Sequence, residues 1–592
     1  MFENERTRDL YEEIPSYPKP PLVPLPEPGN LDSLGREGLK PGIVSHGIVR
    51  AAMFATGFNT FQRQLPHTLE NHLRGTNLRL PGLFAPVISA TLVLEDDPRD
   101  LSPVERAATL VFAARSLYQD ISSGELEADR YRDQILEMGL YPNLFSTSLI
   151  LDGGRARLFK STDVSRITVV IARRFYSLPV GNLESGATIQ QLQEALSELG
   201  LVARKNRLKA DRLSPGILTC ATNKTQREAF RQLQESEINV KSLSALRHSF
   251  LTLCLDLDSY PSSHADAAFV AHSGNPANRW YHSSLQLVVF GNAKACAICS
   301  FTAYLDGNTM MKAASEIQKR AAGCSVEDGA AHTFVSLPAM TELDWEIDEN
   351  LVERAQRDLR SIHDNQQATF EIQGIGTETF TAHGVKPVPV FIVALQMAAE
   401  RLTGEMVKIE QFLTMSKYRC MSLVTGVVTT PEMMRFVDYV NGDSEEHERA
   451  LALLREAIDS QARACRDARR HLPLASILSL FARSRRGAQR FYVVSVAAMA
   501  VVLLRVLGFF KPALQREITV SHPAVYPEVP VVGRPGVRLP YAKYFGLHYQ
   551  IMRDQIVITM MPGVDWLIPN AEVVAVLRES LERIQEIVGG EE

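Results

Sequence analysis

The chain has 592 residues, 45% hydrophobic and 22% charged, enough apolar material for a large core and a length that favours two or more domains. Its 63 lysines and arginines are balanced by 68 aspartates and glutamates, leaving a formal charge of -5, which excludes nucleic-acid binding driven by net charge. Seven scattered cysteines exclude a small disulfide-framed domain, and the acidic N-terminus lacks the apolar core of a secretory signal, so a reducing compartment, the cytoplasm, is expected.

In chain order, Pro15 to Pro28 is too rich in proline for helix or central strand and is expected to be an extended lead-in. From Ser45 to Gln119 apolar residues recur at helical intervals, with turn formers between Asp96 and Pro103. The β-branched runs in Ser165 to Val180 and Ser284 to Phe290 suit strands of a buried sheet. Beyond Gln356 a second helical region leads into Phe391 to Tyr418, apolar on one broad face. Phe491 to Phe510 is long enough to span a bilayer, but Arg505 interrupts it; a buried core helix is expected, and the basic flank Arg483 to Arg490 keeps membrane contact as the alternative. No solenoid repeat or extended low-complexity tract is present.

Cys296 and Cys299 have C-x-x-C spacing, yet in a strand side chains three apart point to opposite faces, and no second Cys/His pair lies nearby in sequence. Two buried thiols and no metal site are expected. His282, His522 and His548 are isolated histidines, each a candidate base and each more commonly structural.

Asn278 to Gly307, NRWYHSSLQLVVFGNAKACAICSFTAYLDG, resembles the signature region of the choline/carnitine acyltransferases, with NRW, SLQ and DG in order. Met138 to Gly153 and FGLHYQ at Phe545 to Gln550 resemble further family segments, so the likeness spans most of the chain. It implies a mixed α/β fold: two similar chloramphenicol-acetyltransferase-like domains, at 96–365 and 366–592, with an active-site tunnel between them, and residues 1–95 packing mainly on the second. It further implies a monomer, no permanently bound cofactor, and acyl transfer from a coenzyme A thioester to a hydroxyl.

By the same likeness the catalytic histidine position holds Thr302, whose hydroxyl titrates far too high to serve as a base. Asp306 then matches the acid that orients that histidine, the alternative being a plain Asp-Gly turn. Ser521 matches an oxyanion-donating serine, and the adjacent His522 is the candidate replacement base, ahead of His548. Lys386 is the one cation left where phosphates of coenzyme A would bind, and Arg419 the one left where a carnitine carboxylate would sit; Tyr304 and His548 complete the expected substrate contacts.

Three functions remain open at this stage. One is an acyltransferase with altered chemistry, taking its acyl group from coenzyme A or a carrier-protein pantetheine and passing it to a small acceptor other than carnitine, in a setting such as specialised metabolism. Another is a catalytically inactive relative that binds a ligand or partner. The third is a different reaction, a cyclisation or condensation, in the same tunnel.

Overall fold

The computed structural model describes residues 17–25, 31, 39–40, 42–77, 89–152, 155–182, 186–206, 213–300, 305–324, 340–363, 368–420, 423–442, 446–470, 472, 474–509, 516–522, 531–533, 544–563 and 566–590. Thr302 and Tyr304 lie outside them.

An N-terminal sheet of eight strands contains β1 (Ala90–Leu94), β2 (Arg166–Ile171), β3 (Arg174–Pro179), β4 (Thr252–Asp256), β5 (Leu285–Phe290), β6 (Ala295–Cys299) and the short β7 (Thr341–Glu342). A C-terminal sheet of six contains β8 (Ala368–Gln373), β9 (Lys408–Thr414), β10 (Leu423–Val427), β11 (Glu517–Ser521), β13 (Tyr544–Ile551) and β14 (Gln555–Pro562). The remaining strand, β12 (Val531–Gly533), comes from between β11 and β13 but pairs antiparallel with β1, with Ala90 opposite Gly533.

The two sheets share one plan. The order β3-β2-β4-β5-β6-β1 in the first matches β10-β9-β11-β13-β14-β8 in the second, strand for strand in chain order. In both, the two central pairings are parallel (β2 with β4 and β4 with β5; β9 with β11 and β11 with β13) and the flanking ones antiparallel. Parallel strands require crossovers and cover on both faces. That cover is visible in β6, where Cys299 packs in one core and Cys296 in the other, on opposite faces of the sheet. Burial pushes both thiols up to about 12, as expected of inert core cysteines.

The residues from Ser165 to Val180 form a hairpin rather than a single strand: Ala172 (φ 49°) and Arg173 (φ 65°) make a left-handed turn between β2 and β3. The helical expectation for Phe391 to Tyr418 holds only for its first part. The helix Pro387–Thr403 ends at Gly404, whose φ of 69° suits a left-handed cap, and Lys408–Thr414 is strand β9. The helical reading of Ser45 to Gln119 likewise misses β1. A boundary at residue 95 leaves β1 with the lead-in, whereas its ladder partners are β6 and β12. Elsewhere in the lead-in, Val23, Leu31, Met53 and Phe58 share the C-terminal core with Phe391 and Tyr549.

Five helices matter below: α1 (Ile43–Ala55), α2 (Phe58–Asn77), α3 (Gly307–Gly323), α4 (Leu474–Ser484) and α5 (Gly487–Val506). The expectation of a buried core helix at Phe491 to Phe510 is overturned. In α5 just Val493 and Leu504 are buried, while Phe491, Met499, Val502 and Val506 are exposed.

The NRW motif proves to be structural. Arg279 is fully buried and donates from Nη2 to Asp256 Oδ2 at 2.7 Å and from Nε to the Ala271 carbonyl at 2.7 Å, and Asn278 Nδ2 donates to Asp256 Oδ1 at 2.6 Å. Burial alone would lower the guanidinium pKa, but the Asp256 carboxylate outweighs it and the net shift is upward. The pair locks the end of β4 to the turn before β5. We expect Arg279→Met to cost about 3–5 kcal/mol by stranding a buried carboxylate, and the double variant with Asp256→Leu to recover much of that, as read from calorimetric unfolding.

Candidate active site

Asp306 begins α3. As its N-cap it accepts, through Oδ1, from Thr309 N at 2.9 Å and Thr309 Oγ1 at 2.7 Å. Its other oxygen accepts from Ser416 Oγ at 2.8 Å, a residue just past β9 in the C-terminal half. Asn308 Nδ2 adds bonds to Ser416 Oγ at 3.0 Å and Thr414 Oγ1 at 3.3 Å. The Glu137 amide donates to the Ser416 carbonyl at 2.6 Å, and the Glu137 carboxylate accepts from Cys420 N at 2.8 Å. A polar seam thus joins the two halves at the start of α3, where the DG pair of the sequence falls.

Asp306 is buried, and desolvation raises its carboxyl pKa against the lowering effect of its three hydrogen bonds, with Asp129 adding a further upward push. Asp129 is itself paired with Lys312 at 2.8 Å and accepts from the Tyr141 hydroxyl. Asp306 therefore holds a helix end and a junction.

The second constellation lies on neighbouring strands of the C-terminal sheet. Ser521, the last residue of β11, is in register with His548 of β13, and Ser521 Oγ lies 2.7 Å from His548 Nδ1. Strand alternation puts Phe545, Leu547 and Tyr549 into the C-terminal core and turns His548 to the other face. His522 does not join this pair. Its ring stacks on Tyr549 (4.9 Å, 13°), which stacks on Phe391 (3.9 Å, 14°), and its Nδ1 lies 3.4 Å from the Tyr549 carbonyl. Desolvation pushes His522 down to about 4, so it is a weak base at neutral pH, whereas His548 lies within hydrogen-bonding distance of Ser521.

The remaining candidates do not converge on either cluster. Arg419 Nη1 pairs with Glu70 at 3.2 Å and its Nε donates to the Pro20 carbonyl at 3.1 Å, so it pins the lead-in to the C-terminal half. Lys386 is exposed at the N-cap of the helix Pro387–Thr403. Gln411, on β9, takes a hydrogen bond from Gln461 Nε2 at 2.9 Å inside the fold. His282 is buried against Phe230 and Trp280, bonded to Gln226 at 3.2 Å and pushed down to about 3 by burial. Ser416, Asn308 and Glu137, which complete the seam, escaped the sequence reading because isolated serine, asparagine and glutamate carry no spacing signal. Among the described residues, no cluster of three or more His, Cys, Asp or Glu could hold a metal.

The seam carries a testable sign. Because the Asp306 pKa is raised in the folded state, its ionisation costs stability as pH rises above the ordinary carboxylate range, and Ser416 offsets part of that cost by binding the charged form. Ser416→Ala should lose about 1–3 kcal/mol at neutral pH and measurably less in acid, where the carboxyl is protonated, in unfolding measured at both pH values.

Residues 81–471 match the family model for choline/carnitine O-acyltransferase, about two thirds of the chain. A choline O-acetyltransferase of Sus scrofa is 26% identical over 45% of this chain and 44% of its own length. A carnitine O-acetyltransferase of Mus musculus is 22% identical over 50% of this chain and 48% of its own length. The aligned region thus spans about half the length of these curated relatives. Among solved structures, a trichothecene 15-O-acetyltransferase of Fusarium sporotrichioides covers 86% of this chain and 94% of its own at 10% identity and a TM-score of 0.39, a likeness too loose to argue from. With the family model matched from β1 through β10 and through the DG pair, over about two thirds of the chain, the chain belongs to the choline/carnitine O-acyltransferase family.

Proposed function

We propose that this protein is an O-acyltransferase in which Ser521 and His548 handle the proton that the family's histidine would handle. The observation that carries the reading is the 2.7 Å contact between Ser521 Oγ and His548 Nδ1, a hydroxyl and a base within proton-transfer reach on adjoining strands. The proton within reach of Nδ1 is that of Ser521 itself, so the serine oxygen becomes the nucleophile.

In the first step the Ser521 hydroxyl proton passes to His548, the oxygen attacks the thioester carbonyl, the C–S bond breaks and the leaving thiolate takes the proton from His548. In the second the acceptor hydroxyl gives its proton to His548 and attacks the acyl-serine, whose oxygen leaves and regains the proton. Asp306 holds the junction through Ser416 and takes no proton in this scheme.

The donor is a thioester of coenzyme A or of a carrier-protein pantetheine, and the acceptor a small alcohol or amine other than carnitine. The engagement of Arg419 with Glu70 and Pro20 supports that exclusion, since its guanidinium is occupied within the fold. Exposed Lys386 supports a donor with at most a light phosphate contact.

Purified protein should release thiol from at least one member of an acyl-coenzyme A and acyl-pantetheine panel and gain the acyl mass at Ser521 in intact-mass spectra. Ser521→Ala should abolish the adduct, and His548→Gln should slow its formation by about 10²–10⁴-fold. His522→Gln should leave the rate within a few fold. Unimpaired turnover by His548→Gln would sink the assignment of the base.

A further inference from the structure

Helices α1 and α5 run antiparallel as a pair. The Lys40 amide donates to the Phe509 carbonyl at 2.6 Å, Lys40 Nζ donates to Gly508 at 3.1 Å, and at the other end the Tyr492 hydroxyl donates to the Ala55 carbonyl at 3.4 Å. Helix α5 buries little beyond Val493 and Leu504, and α1 little beyond Ser45 and Met53. Their outer faces are apolar and open: Ile43 is 94% exposed, Phe54 82%, Phe491 76% and Val506 78%, with Met499 and Val502 between them. A folded protein in water rarely leaves so many large apolar side chains contiguous.

The charged residues within the two helices have one sign. Neither helix contains an aspartate or glutamate, while Arg485, Arg486 and Arg490 cluster at the start of α5, and Arg50 and Arg505 lie within the pair. A protein surface of ordinary composition would meet this apolar field with mixed charges. A bilayer carrying anionic headgroups meets it with hydrocarbon for the side chains and phosphate for the arginines.

We propose that α1 and α5 together form a membrane-docking surface that sinks its outer face into the interfacial layer of an anionic phospholipid bilayer. Helix α5 has 20 residues, about 30 Å, and α1 has 13, about 20 Å, so the pair does not match as a two-helix span. A tilt across the bilayer would also draw Arg50 into hydrocarbon, whereas a pair lying in the interface lets Arg50 extend its stem toward the headgroups. The surface is made by residues distant in sequence, so it exists once the lead-in has packed on the C-terminal half.

The full-length protein should float with vesicles of phosphatidylcholine and phosphatidylglycerol in a density gradient, less with phosphatidylcholine alone, and less again at high salt. Phe491→Ser with Met499→Ser and Val502→Ser, all exposed positions, should weaken partitioning by about 10-fold or more. Arg486→Gln with Arg490→Gln should remove the preference for anionic vesicles. Circular dichroism and an unchanged unfolding midpoint confirm that each variant is folded. The proposal is overturned if the wild type stays unbound to both vesicles, or if the triple-serine variant floats as well as the wild type. It is also overturned if sedimentation shows a wild-type dimer that the triple-serine variant converts to monomer, which would mean that a second copy covers the face.

Discussion

Each sheet is built around parallel strands, and a parallel strand cannot be left facing water on either side. The chain must therefore leave the sheet after β1, β3 and β4 and return with helices or with another part of the chain as cover, and it does this twice with the same strand order. Everything that positions the chemistry follows from that demand. Asp306 starts a helix because a crossover helix has to begin where β6 ends, and Ser521 meets His548 because β11 and β13 run side by side in the same direction. Among the charged groups that this plan buries, Arg279 pairs with Asp256 at 2.7 Å, Arg106 with Asp97 at 2.7 Å and Lys312 with Asp129 at 2.8 Å.

Much of this was legible in the sequence where a local signal existed. The β-branched runs marked β2, β3 and β5 but not β4, and the C-x-x-C spacing was rightly read as two thiols on opposite faces of a strand. Strand β9 was hidden because Lys408–Thr414 follows an apolar helix without a break in hydrophobicity, so the glycine at 404 was the sole punctuation. Strand β1 was missed because its five residues, four of them apolar, read equally well as a helix turn. The apolar stretch at α5 was misjudged for a different reason: hydrophobicity reports preference for burial but not what does the burying, and in this fold Val493 and Leu504 are buried while most of the helix stays open.

The site was legible in part. Asp306 and Ser521 were found by motif, yet their roles depend on partners that only folding supplies. His522 and His548 are indistinguishable as isolated histidines in sequence. One is stacked against Tyr549 and desolvated while the other faces a serine, because strand alternation sends neighbouring positions to opposite sides. Arg419 could be read in sequence either as a carboxylate ligand or as an arginine paired within the fold, and the second reading needs Glu70, 349 residues away, to be seen.

The strand exchanged between the halves has a consequence for synthesis. As the chain emerges from the ribosome, the N-terminal sheet can assemble from β1 through β7, but among the described residues the outer rim of β1 has no strand partner until Val531–Gly533 has been made. During that interval the nascent protein presents a row of unmet amide and carbonyl groups flanked by apolar residues, the kind of rim that recruits strands from other chains. Completion of the C-terminal half therefore does more than add a second domain, because its β12 shuts the open rim of the first.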